Sequence, residues 1–301
     1  MNIQEANEIV REWFNEHWIG GNADLDLDGL TSAEGLTLPT CVRGDLRLLH
    51  LTSAVGLTLP RSVKGSLLFS DLTSAEGLTL PTKVGSLSLN GLTSAVGLTL
   101  PTSVRGWLYL DGLTSAEGLM LPETLGGSLH LVGLTSAVGL TLPTKVGYIS
   151  LDGLTSAVGL TLPTEVGYLS LKGLTSAVGL TLPTRVRGGL YLKGLKSAVG
   201  LTLPTSFKGS LLFSDLNLAG LTSAVGLTLP TSVGDLNLAG LTSAEGLTLP
   251  TKVRDLSLDG LTSAEGLSLP ESVRDLSLKS LPKSGKEALR QRHPNLAYII
   301  R

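Results

Sequence analysis

The chain has 301 residues, a formal net charge of −2, 4% aromatic and 16% charged residues, 37 glycines and a single cysteine. So even a charge balance, with no basic stripe, argues against a nucleic-acid partner, and one cysteine excludes an internal disulfide framework and a cysteine-rich zinc site. No apolar run approaches the ~18 residues of a membrane helix.

Taken in chain order, the first element is an amphipathic helix over residues 2–18. Ile3, Ala6, Val10, Trp13, Phe14 and Trp18 form an apolar stripe at helical spacing. Glu5, Glu8, Arg11, Glu12 and Glu16 interrupt any signal-peptide core. With neither leader nor membrane span, the chain is assigned to the cytoplasm by default. Residues 1–21 are read as an N-terminal cap over the first rung, Asp24 to Asp28.

Residues 22–281 are a tandem repeat. The string Leu-Thr-Ser-Ala-Val-Gly-Leu-Thr-Leu-Pro begins at Leu51, Leu92, Leu134, Leu154, Leu174 and Leu221. Close variants begin at Leu30, Leu72, Leu113, Leu195, Leu241 and Leu261. Two segments of each copy alternate apolar with polar residues. One is Gly-Leu-Thr-Leu-Pro, as at Gly97–Pro101, and the other is x-Leu-x-Leu-x-Gly, as at Trp107–Gly112. Period two predicts two short strands per copy with leucines on one face. A single copy buries too little apolar surface to offset the ordering of its backbone, so the copies must stack and share a leucine ladder. The fold class is therefore an all-β solenoid of about twelve repeats with helical caps. Where Leu195 and Leu221 stand 26 residues apart, the surplus within Leu211–Leu218 predicts a bulge or small loop. Residues 282–301 complete the chain as a C-terminal cap. A helix spans Ser284 to His293, Pro294 ends it, and Asn295 to Ile300 add a last strand.

The Leu-x-Leu-x-Gly-Leu…Leu-Pro-x-x-Val pattern resembles the short bacterial type of leucine-rich repeat. Leu108, Leu110 and Pro101 fill its Leu-x-Leu and Leu-Pro positions. The chain is also similar to bacterial tandem LTSAEGLTLP repeat proteins. Gly112-Leu113 stands where leucine-rich repeats place Asn or Cys. The cross-section is accordingly left open between a leucine-rich-repeat-like coil and a straighter parallel β-helix.

Most repeat columns are nearly constant, whereas the outward positions of the second strand vary. They bring Trp107, Tyr109, His130, Tyr148, Tyr168 and Tyr191 onto one face. Aromatic side chains offer large contact area at low entropic cost, so this is the candidate face for a protein partner. The competing reading is an exposed strand that drifts toward β-formers. A second column reads Val138, Val158, Val178, Val199 and Val225, with Glu in other copies. It is either a self-association seam or, the favoured reading, half-buried corner packing. Asp24, Asp26 and Asp28 resemble a calcium loop only superficially, because leucine fills the alternate sites and no Glu closes the loop.

No nucleophile, base or phosphate-binding motif stands out, and His17, His50, His130 and His293 are scattered. The expectation is a non-enzymatic interaction scaffold without metal or cofactor. The alternatives are an ice-binding or other surface-lattice protein, through a Thr column that includes Thr99 and Thr161, and a purely structural spacer.

Overall fold

The structure is a computed structural model that describes residues 1–17, 22–204 and 215–300. The chain is a parallel β-solenoid of about twelve turns, with a short helix at each end. It divides into two compact units, Met1–Ile149 and Ser150–Arg301.

In the first unit one leucine of each coil lies in register with the next. The ladder runs Leu25, Leu46, Leu67, Leu87, Leu108, Leu129, every pairing parallel. The second unit repeats this as Leu169, Leu190, Leu216, Leu236, Leu256, Leu276. The alternating leucines face inward as the period requires: Leu108, Leu110 and Leu113 are fully buried.

The second expected strand is elsewhere. Gly-Leu-Thr-Leu-Pro is not a strand in any described copy. Leu98 spends its N–H inside its own coil, on the Ala95 carbonyl at 3.0 Å, and Pro101 has none to give. With so few donors the segment cannot sustain a ladder, although Leu98 and Pro101 remain buried. The ladder resumes just after the proline, where Val42, Val63, Val84 and Val104 pair in register. Val233 and Val253 do the same in the second unit.

In most coils two turns use glycine for different reasons, although His50, Asp71 and Ser280 take the place of the second glycine in three copies. Ala95-Val96-Gly97-Leu98 closes through the bond just named, and Gly97 sits at φ 79°. A third turn residue at positive φ is the requirement of a type II turn. The Ser94 hydroxyl braces it by accepting the Val96 N–H at 3.2 Å. At Leu110-Asp111-Gly112-Leu113 the Leu113 N–H reaches the Leu110 carbonyl at 3.2 Å. Here a Cβ on Gly112 would lie 2.2 Å from the Asn90 carbonyl oxygen of the preceding coil. That glycine exists to let coils stack closely.

The first helix, α1 (Ile3–His17), starts from a capping box. Asn2 Oδ1 accepts the Glu5 N–H and Glu5 Oε2 accepts the Asn2 N–H, both at 2.9 Å. Ala6 and Val10 are buried, while Asn7 donates to the Gly35 carbonyl and accepts the Thr37 N–H, both at 3.0 Å. Phe14 departs from the predicted stripe and is exposed. Trp18 falls outside the described residues.

At the other end, α2 (Lys283–Arg292) buries Leu289, and Arg292 donates to the carbonyls of Leu267 and Ala264. The final strand expected over Asn295–Ile300 is not formed. Pro294–Leu296 is a 3-10 turn, and Ile300 folds its N–H back onto the Leu296 carbonyl. Among the described residues no helix is long and apolar enough to cross a membrane.

Candidate functional site

The candidate face is the outward side of the second strand. In the first unit, Trp107 and Tyr109 are two residues apart on one coil and therefore project the same way. Their rings stack with centroids 4.4 Å apart at 22°. Tyr109 is in register with His130 on the next coil, and those rings meet nearly edge-on, also at 4.4 Å. His130 continues to Tyr148 at 5.1 Å. Four of the six predicted residues are thus one unbroken run of ring contacts, each half-buried. Edge-on and offset pairs of this kind are worth about 0.5–1.5 kcal/mol beyond their buried area.

The run is seated on small neighbours. Ser88 is the register partner of Tyr109, and the Trp107 N–H donates to Ser86 Oγ at 3.2 Å. Both serines point outward yet are only 8% or less exposed. The rings next to them exclude water.

In the second unit, Tyr168 and Tyr191 occupy the same columns. Tyr191 donates its phenol to Asp215 Oδ2 at 3.0 Å, and the Lys172 ammonium stands 5.7 Å from its ring centroid. A Cβ on Gly188 would fall 2.3 Å from Tyr168 Cζ, and one on Gly189 2.7 Å from Tyr191 Oη. The pair Gly188-Gly189 is the seat of two tyrosine rings.

Beyond Tyr191 the character changes. Asp215, Asp235, Asp255 and Asp275 lie in register on successive coils and line a groove of about 480 Å3. The 26-residue copy places Asp215 and Asn217 in the ladder. The strand slot that the repeat spacing would give to Ser210 and Leu212 is therefore filled by Asp215–Asn217. The bulge or small loop expected within Leu211–Leu218 falls in part on residues 205–214, outside the described residues. Arg254 donates to Asp235 and, at 3.0 Å, to Asp255. Burial pushes the Asp235 carboxyl up. Arg254 opposes this, and the carboxylates of Asp255 and Asp215 add to it, leaving the group above its usual value. The sequence signals this ladder through Asp recurring at the first outward position, where by itself it reads as variation.

Other singled-out residues resolve as follows. Val138, Val158, Val178, Val199 and Val225 are 64–67% exposed, which overturns the half-buried corner reading. Each occupies the second position of its turn, where the side chain points away from the coil. Asp24 and Asp28 accept the N–H groups of Asp45 and Leu49 from the next coil. His50 accepts the Gly29 N–H and His293 the Leu269 N–H. Among the described residues no three His, Cys, Asp or Glu side chains are grouped to hold a metal ion. Thr99 and Thr161 are exposed, on an irregular segment rather than a strand.

Comparisons with protein-family models, with curated proteins and with solved structures find no match to this chain.

Proposed function

We propose that this chain is a non-enzymatic scaffold of the tandem LTSAEGLTLP, leucine-rich-repeat-like kind, and that it binds a protein partner through the outward face of its second strand. The observation that supports this most directly is the half-exposed run Trp107, Tyr109, His130, Tyr148. Its rings are already locked against one another and against the serine rows, so a partner meeting them orders few side chains. Binding surfaces gain affinity from such preorganisation, and Trp and Tyr dominate the energetics of interfaces. Tyr168 and Tyr191 offer the same chemistry within the second unit.

The immobilised protein is used to capture partners from a lysate, beside the triple variant Trp107→Ser, Tyr109→Ser, Tyr148→Ser. The variant, checked for an unchanged far-ultraviolet spectrum, loses the partner that the native chain retains. Equal recovery by both proteins would remove the face from consideration. A surface-lattice role is the second reading, favoured by a threonine such as Thr99 standing exposed at most coils, with Met120 and Ser268 in its place at two. Thermal hysteresis above the buffer value is its signature, and none at millimolar concentration dismisses it.

A further inference from the structure

The last two complete coils contain the same hexapeptide, Val253-Arg254-Asp255-Leu256-Ser257-Leu258 and Val273-Arg274-Asp275-Leu276-Ser277-Leu278. Their arginines do different things. Arg254 lies in a six-residue strand and turns onto Asp235 and Asp255. By the repeat, Arg274 should reach Asp255 and Asp275 in the same way, yet it makes no ion pair with either. Its coil enters differently: the Val273 N–H closes a turn onto the Pro270 carbonyl at 3.3 Å, and the strand begins only at Asp275. The departure opens a cavity of about 720 Å3 lined by Lys252, Arg254, Arg274, Glu271 and the cap residue Tyr298. Ligand pockets span roughly 300–1,000 Å3.

Lys252 and Arg274 have no ion-pair partner among the described residues, and both are exposed. Tyr298 presents its ring at 68% exposure on the same cavity. Two unneutralised cations beside an open aromatic face fit a doubly charged oxyanion carried on a ring. A phosphomonoester has a charge of about −1.5 to −2 at pH 7 and three acceptor oxygens. Arginine matches such oxygens in its planar fork, and lysine adds a point charge.

We propose that this cavity binds an aryl or otherwise ring-bearing phosphomonoester, its phosphate between Lys252 and Arg274 and its ring on Tyr298. Glu271, on the same lining and also without an ion pair among the described residues, works against the anion and sets the affinity below its maximum. The site is separate from the aromatic face and does not depend on it.

The test is calorimetric titration of the full chain with phenyl phosphate and, separately, inorganic phosphate, at low ionic strength. Phenyl phosphate is expected to saturate one site more tightly than inorganic phosphate. Arg274→Gln and Lys252→Gln should each weaken it about tenfold or more, the scale of losing a charge-assisted contact. Glu271→Gln should tighten it, and Tyr298→Ala should erase the preference between the two probes. Surface variants with effects of opposite sign separate a site from general misfolding. The absence of a saturable isotherm with either probe would overturn the proposal, as would affinities unaffected by Arg274→Gln and Lys252→Gln.

Discussion

At the scale of the residue, Gly97 and Gly112 separate conformational need from steric need. Gly97 has open space around its Cα, with nothing within 4 Å of where a Cβ would stand, but its φ of 79° is left-handed. Gly97→Ala should cost about 1–2 kcal/mol, the strain of that region for an L-residue. Gly97→Asn should recover part of this, because Asn tolerates left-handed backbone. Gly112 is the opposite case, with no positive φ and a carbonyl oxygen 2.2 Å from where a methyl would sit. Gly112→Ala should cost about 1–3 kcal/mol, the range for forced overpacking, and Gly112→Asn should be no better. Urea midpoints of the four variants decide the matter. Rescue by Asn at both positions, or at neither, would show that one cause serves for both glycines.

At the scale of the element, successive coils are tied by staples invisible to local pattern. Asp152 accepts hydrogen bonds from the Ser170 hydroxyl, at 2.5 Å, and from the Lys172 N–H, at 3.0 Å, and pairs with the Lys172 ammonium at 3.2 Å. Asp259, Ser277 and Lys279 repeat the arrangement. Burial pushes the Asp152 carboxyl up, but the three bonds outweigh it and hold the group below its ordinary value of 3.8; the same balance lowers Asp259. A carboxyl lowered by folding stabilises the fold above its unfolded value and loses that contribution as pH falls through the folded one. Native protein should therefore lose stability below about pH 3.8, and the double variant Asp152→Asn, Asp259→Asn should show a shallower loss there. Thermal melts between pH 2 and 5 measure both slopes, and identical slopes would contradict the staple. The leucine ladder is legible in the sequence because inward residues recur at period two within five residues. The same alternation misleads at Gly-Leu-Thr-Leu-Pro, because it reports burial and not whether enough N–H groups remain for a ladder. The aromatic face is legible as a column. Its seats at Ser86, Ser88 and Gly188, and the staples at Asp152, are not, since each depends on a residue about twenty positions away.

At the scale of the whole molecule, a stack in which each coil touches the coils before and after it should tolerate loss of a full period and not of a fraction. Excision of residues 155–174, within the second unit, joins Leu154 to Thr175 at the same point of the repeat. Asp152 then meets the copy that carries Tyr191 and Lys193. It regains a lysine but not the Ser170 hydroxyl. The product should fold with an unchanged β signal per residue and a lower melting temperature, because nearest-neighbour interfaces are roughly additive in such arrays. Excision of 155–164 removes half as many residues but joins Leu154 to Glu165, so the turn that should follow is replaced by the approach to a strand. Downstream leucines then have no ladder to enter at that coil, and the chain should expose apolar surface and aggregate. Circular dichroism and light scattering on the two deletions distinguish the cases. If the ten-residue deletion were the better folded, the coils would not be the units in which this chain stores its stability.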